Sequence, residues 1–272
     1  MSTPRSHTFQ TPEPIELDIQ NLVGEIRVNA TGRGETRVDL IPMRGNGGTR
    51  DAVDNADVEF ANGRLRIACQ QRQMGRGHPI SVSVTAPAGS SVRVKTATAD
   101  VTVSGRIDSL DATTASGEVT AEDIDGEAEV RTASGGITLG AVTGDVRSRT
   151  VSGDLRVGRA GALHAESASG DLSVRDLGGS ANLKTASGNL HVGRVARGEL
   201  AVMTASGNVR IGLAQGALAH LEVGSLSGSV RNELPVEDEP DSPPQSGEVV
   251  DIRARTLSGD IRIGRAEATR GA

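Results

Sequence analysis

Aromatic side chains are almost missing from this chain: it has no Trp, no Tyr, and only Phe9 and Phe60 in 272 residues. A sandwich or barrel of this length normally organises its core around several large rings, so a wide two-sheet interior is not expected. Lysine is nearly absent too, with Lys95 and Lys184 alone among 29 basic side chains. Against these stand 35 acidic residues and a net charge of −6, which removes the general attraction to phosphates on which nucleic-acid binding rests. A single cysteine, Cys69, forbids an internal disulfide; it stands in the apolar stretch Leu65 to Cys69, where a buried, inert thiol is expected. No apolar run approaches the roughly twenty residues of a membrane span. Met1 to Pro14 lacks the apolar core of a secretory leader, so the expected location is the cytoplasm and the expected state of residues 1–14 is a disordered polar tail.

What the chain does contain is a phrase that returns. Thr-Ala-Ser-Gly or a near copy occupies Thr114 to Gly117, Thr132 to Gly135, Thr150 to Gly153, Ser167 to Gly170, Thr185 to Gly188, Thr204 to Gly207, Ser225 to Gly228 and Thr256 to Gly259, with a forerunner at Thr96 to Ala99. From Ala99 the intervals run 18, 18, 18, 17, 18, 19, 21 and 31 residues. A fixed period of this length is the signature of stacked units. Two places after the glycine stand Val101, Val119, Ile137, Leu155, Leu172, Leu190, Val209, Val230 and Ile261. Two further on, Val103, Ala121, Leu139, Val157, Val174, Val192, Ile211 and Ile263 form a second apolar column, broken only by Asn232. That alternation predicts a strand with one buried face, and a second strand is predicted before each glycine from Leu110, Ala128, Val146, Leu163, Ala181, Leu200, Leu221 and Ile252. Copies repeating in one direction pair best in parallel and in register, since a one-residue slip would turn every Val outward. The expected fold is therefore all-β, a parallel β-solenoid of about 18 residues per coil.

Five segments follow from this reading: a tail at 1–14, an irregular β cap or degenerate coils at 15–95, repeats at 96–266, an acidic Pro-rich loop at 234–247 within them, and a tail at 267–272. Faint versions of the repeat surround Gly24 and Gly63, with insertions at 44–55 and 71–79. The last repeat places an open sheet edge near Ile261 and Ile263, where strand addition could occur.

The T-A-S-G-D-V-R-V repeats, the opening Phe9 to Val28 and the closing Val250 to Ala266 resemble a bacterial, actinobacterial-type β-strand-repeat family of unknown function that carries the label “putative adhesin”. The resemblance spans about residues 8 to 266. It implies the fold and an adhesin-like role, and offers no catalytic motif.

No motif for chemistry emerges. His7, His78, His164, His191 and His220 fall in no metal-ligand spacing, and zinc, hydrolase and phosphate-loop signatures are missing. The glycine-rich stretches Arg44 to Thr49 and Gly75 to His78 read as loops. After each glycine comes an oxygen-bearing side chain: Glu118, Asp154, Asp171, Asn189, Asn208 and Asp260. Stacked carboxylates can hold calcium, yet the G-G-x-G-x-D calcium repeat is not matched and Ser-Gly-Asp is ordinary turn chemistry. Arg131, Arg147 and Arg149, with Glu127, Glu129 and Glu166, read as a solvated ion-pair face rather than a polysaccharide-cleaving cleft. The inward Thr column is expected to bond corner backbone; were it outward, with Ala115, Ala133 and Ala186 inward, the surface would be a hydroxyl array like that of ice-binding solenoids.

The sequence thus points to a noncatalytic, adhesin-like scaffold or binding module. It has no expected cofactor, metal site, catalytic residue or small-molecule ligand, and its expected partner is a protein of unknown identity or another copy of itself. The alternative is a β-helix enzyme acting on polysaccharide.

Overall fold

The computed structural model describes residues 4–32, 34–43, 47–69, 78–234 and 249–266. The chain is all-β, and among these residues the one α-helix is the eight-residue Gly47–Asp54. It divides into two compact units, residues 1–142 and 143–272. In each, the ladders join copies of the repeat in parallel.

In the first unit, Leu110–Thr114 pairs with Ala128–Thr132 on one side and Ser91–Lys95 on the other, Leu110 opposite both Ala128 and Val92. The companion strands behave alike: Val119 lies opposite Val101 and Ile137, and Ala121 opposite Val103 and Leu139. Each of these side chains is buried. A strand before the corner glycine and a strand after it make one rung, and the apolar columns legible in the sequence are the core between rungs.

The N-terminal rung does not stand where chain order would put it. Glu16–Asn21 pairs with both Arg64–Cys69 and Ser91–Lys95, and Gly24–Gly32 pairs with both Ile80–Pro87 and Asp100–Ile107. Residues 16–32 are thus interleaved between a rung from 64–87 and a rung from 91–107. Beyond the 64–87 rung the pairing turns antiparallel, through Gly34–Pro42 on Ile80–Pro87, Arg5–Thr11 on Gly34–Pro42, and Asp57–Ala61 on Arg64–Cys69.

Several sequence expectations are corrected here. Residues 5–11 are a strand rather than a disordered tail. The Gly63 region is not a degenerate repeat but a two-residue hairpin, in which Asn62 and Gly63 take φ of 52° and 73°, as a tight turn between right-twisted strands demands. Gly47 to Thr49, read as loop, open the helix, which buries Ala52 and Val53; the Arg5 guanidinium closes its far end on the carbonyls of Val53, Asp54 and Ala56 at 3.1, 2.9 and 2.8 Å. Residues 44–46 and 75–77 of the two glycine-rich stretches lie outside the described residues, as do 235–248 of the acidic loop and the 267–272 tail.

The second unit repeats the same grammar. Leu155, Leu172, Leu190 and Val209 stack in order, as do Leu163, Ala181 and Leu200. The next rung is not the next in sequence. Gly198–Ser206 pairs with Val249–Ser258, and Val209–Leu213 with Ile261–Arg265. Leu218–Ser227 and Val230–Asn232 pair with the far sides of those same strands. Residues 249–265 therefore fill the storey between 198–213 and 218–232. Ile261 and Ile263, expected at an open edge, are 1% and 0% exposed. Among the described residues the unpaired edge belongs instead to residues 218–232.

Candidate functional site

The corner of each rung determines what the repeated polar residues can do. Thr114, Thr132, Thr150, Thr185, Thr204 and Thr256 are all buried, whereas Ala115, Ala133 and Ala186 are exposed. This arrangement overturns the hydroxyl-array reading, which needs the opposite orientation. Most hydroxyls of the column serve the backbone, whereas those of Thr150 and Ser167 are buried with no hydrogen-bond partner among the described residues. In the first unit, Gly117 and Gly135 each donate an N–H to the hydroxyl three residues earlier, Thr114 and Thr132, at 2.9 Å. In the second, Thr204 and Thr256 donate to the carbonyls of Gly188 and Gly207 at 3.3 Å, and Ser225 to that of Gly259 at 2.9 Å.

The glycine between these hydroxyls and the second strand is fixed by proximity. A Cβ on Gly135 would lie 1.9 Å from the carbonyl oxygen of Gly117, and one on Gly188 would lie 2.1 Å from that of Gly170. No side chain fits there without parting the rungs.

The oxygen column after the glycine is a hydrogen-bond ladder. The N–H of Glu118 donates to Asp100 Oδ1 at 3.0 Å, and that of Asp171 to Asp154 Oδ1 at 3.0 Å. The series continues from Asn189 to Asp171 at 2.8 Å and from Asn208 to Asn189 at 3.1 Å. It then runs from Asp260 to Asn208 at 2.9 Å and from Ser229 to Asp260 at 2.8 Å. The carboxylate or carboxamide of Asp100, Asp154, Asp171, Asn189, Asn208 and Asp260 satisfies the amide of the next rung in space, and the last three steps retrace the interleaved order independently of the strand ladders. Asp260 accepts from both the amide and the hydroxyl of Ser229, and these two bonds hold its carboxyl below the usual carboxylate range. No group of three or more His, Cys, Asp or Glu among the described residues is arranged to hold a metal ion. The sequence reading does not anticipate the ladder; its signal is that this position, Gly136 apart, holds only Asp, Asn, Glu and Ser.

Outward strand positions carry paired charges. Arg149 reaches Glu166 at 2.7 Å, Arg147 reaches Asp145 at 3.3 Å, and Arg131 pairs with Glu129. Arg64 meets Glu16, and Arg93 meets Asp111 at 3.1 Å. These partners are about half exposed, where such pairs contribute roughly 0–1 kcal/mol each. Arg147, His164, Asn182 and Glu199 line a shallow groove on the second unit, and Asp18, Arg93, Asp111 and Glu129 line one on the first. His164 and His191 are outward and exposed, as strand parity predicts, and His164 leans on Glu166 at 3.4 Å. His7 stacks on Phe9, whose ring meets Phe60 at 5.4 Å; burial and the nearby Arg5 push the His7 pKa down. Cys69 is buried, and burial pushes its thiol up to about 12, so it is not a nucleophile at neutral pH.

Apolar exposure gathers on the last rungs of the second unit. Where earlier rungs place Ala168, Ala186 and Ala205 outward before the Ser-Gly pair, the last two place Leu257 and Leu226, 59% and 83% exposed. Leu221 and Val223 are half-buried and Val230 is exposed, although the residues they pair with, Ile252, Ala254 and Ile261, are fully covered.

No helix among the described residues is long and apolar enough to cross a membrane. No curated protein matches the chain. A structure described as a “putative adhesin” from Parabacteroides distasonis ATCC 8503 superposes with a TM-score of 0.52 at 12% identity, over 96% of this chain and 97% of that one. A second, also described as a “putative adhesin”, comes from Bacteroides fragilis NCTC 9343 and gives 0.48 at 12% identity over 96% and 97%. At this identity the first likeness speaks for the fold alone. In sequence, residues 158–264, which include the interleaved last rungs, match the family described as Toastrack DUF4097.

Proposed function

We propose that this chain is a noncatalytic, adhesin-like scaffold or binding module, a parallel β-solenoid of about 18 residues per coil whose repetitive surface meets a protein partner or another copy of the chain. One observation carries the reading. Polar side chains of both columns are turned to the backbone of the neighbouring rung, Thr204, Ser225 and Thr256 inside and Asp154, Asp171, Asn208 and Asp260 at the corner. What remains for the surroundings is a set of flat rows of paired Arg and carboxylate side chains with apolar tips at one end. Such a surface recognises by summing many weak contacts along a repeat, since it lacks the Trp and Tyr anchors of compact interfaces.

The test is affinity capture with the folded chain, set beside an assay for new reducing ends on a panel of acidic polysaccharides. A reproducibly captured protein, competed by free chain, with no polysaccharide cleavage is the expected result. Turnover of any polysaccharide would overturn the reading.

A further inference from the structure

The strand Leu218–Ser227 has one ladder, to Val249–Ser258, and no described strand pairs with its other edge. In equivalent strands the inward residues turn their amides to the next rung: Leu110 N–H donates to Glu127 O at 3.0 Å and Leu163 N–H to Ser180 O at 3.1 Å. Leu221 is their counterpart seven places before the repeat glycine, so the amides of Leu221 and Val223 face outward from the stack beside half-buried apolar side chains. Among the described residues the 64–87 rung of the first unit has its edges covered by antiparallel strands, and this rung has none.

We propose that this edge joins two copies of the chain, Leu218–Ser227 pairing antiparallel with itself about a two-fold axis at Leu221. The proposal rests on the binding-module reading and names its occupant. In this register Leu221 meets Leu221, Ala219 meets Val223, and His220 of each copy stands opposite Glu222 of the other, both exposed and on the same face. Shifting the axis to residue 222 would place Glu222 against Glu222, and shifting it to 220 would oppose two histidines. Of these three registers only the first keeps Glu222, which already meets Arg253 at 3.7 Å and pairs with Arg255 on the adjacent strand, away from a second copy of itself and opposite a hydrogen-bonding imidazole.

Rung-on-rung stacking of a further copy in parallel is disfavoured by the same end. Asn232 occupies the core column opposite Ile263, and Ser229 turns its hydroxyl back to Asp260 at 2.9 Å, so the oxygen ladder offers no carboxamide onward. A closed pair fits this end, and an open fibre does not.

Sedimentation velocity on the full chain between about 5 and 200 µM tests the proposal. The mass should rise with concentration from 28.0 kDa to twice that value. His220→Glu sets like charges opposite each other twice and should weaken association about tenfold, whereas the double change His220→Glu with Glu222→His restores the pairing and should recover it. Leu221→Pro removes the central amide from a free edge, which the isolated fold tolerates, and should leave a monomer with an unchanged circular-dichroism melt. A wild-type chain that stays at 28.0 kDa throughout, or a dimer indifferent to both His220→Glu and Leu221→Pro, overturns the proposal. A monomer that still captures a foreign protein would end this inference alone, and polysaccharide turnover by an intact dimer would end the functional reading alone.

Discussion

Gly135 and Gly136 are adjacent in one corner and should respond oppositely to the same methyl group. A Cβ at Gly135 would lie 1.9 Å from the Gly117 carbonyl oxygen, 2.8 Å from its carbon and 3.0 Å from Thr132 Oγ1; at Gly136 nothing lies within 4 Å. Carbon and oxygen need more than 3 Å, so Gly135→Ala must open two rungs by about 1 Å where strands stand roughly 4.8 Å apart. That opening strains the Ser134 N–H bond to Ala115 O across the two rungs, 2.9 Å. Overpacking against rigid backbone plus one weakened buried hydrogen bond costs about 2–4 kcal/mol. Gly136→Ala meets no obstacle and loses unfolded-chain entropy, for a gain of about 0.4–1 kcal/mol. With no Trp or Tyr to report fluorescence, urea unfolding followed by far-ultraviolet circular dichroism is the assay. Equal effects of the two substitutions would refute the argument that rung contact, rather than turn geometry, demands the glycine.

Further outcomes follow from the ladder and the interleaving. Asp171→Ala removes the acceptor of the Asn189 amide at 2.8 Å and should cost about 1 kcal/mol, with Asp171→Asn close to wild type in the same urea titration. Asp260 is held below its usual range by Ser229, so its contribution is complete above the unfolded value of 3.8 and fades as pH falls through the lower folded value. Hydrogen exchange should show the 218–232 rung loosening in that acid window, and Asp260→Asn should remove the acid-dependent part. Cys69 should resist a thiol reagent at pH 8 in the native chain and react at once in urea. Ending the chain at residue 248 removes the storey between 198–213 and 218–232, so protection of Leu218–Ser227 amides should be lost while those of Ala181–Ser187 persist. Cell fractionation tests the expected cytoplasmic location, and recovery only in the wall or medium would refute it.

The rungs were legible in the sequence because their cause is local. Val119 and Ala121 alternate with polar neighbours, and the same pattern 18 residues on can match it in only one register without exposing valines. The inward Thr column followed by the same parity. The order of the rungs was not legible, because the local pattern would let Leu200 pair with Leu221 as well as with Ile252, and it does not rank the two. Yet the terminal rung was marked in ways that gain meaning with the structure: Asn232 in an apolar column, Ser229 in an Asp/Asn column, and Leu226 where Ala is usual. The hairpin at Asn62-Gly63 is marked by its dipeptide, a local turn signal that carries no 18-residue period.

The central claim, in-register rungs with 249–265 placed between 198–213 and 218–232, is most directly tested by paired cysteines in the outward Ser column. Ser206 and Ser258 are ladder partners, as are Ser258 and Ser227, whereas Ser206 and Ser227 stand two rungs apart. Neighbouring positions roughly 5 Å apart fall within disulfide reach and positions near 10 Å do not. Mild oxidation should therefore cross-link Ser206→Cys with Ser258→Cys, and Ser227→Cys with Ser258→Cys, and leave Ser206→Cys with Ser227→Cys reduced. Efficient cross-linking of the last pair, with failure of the first, would show that the rungs follow chain order and contradict the account.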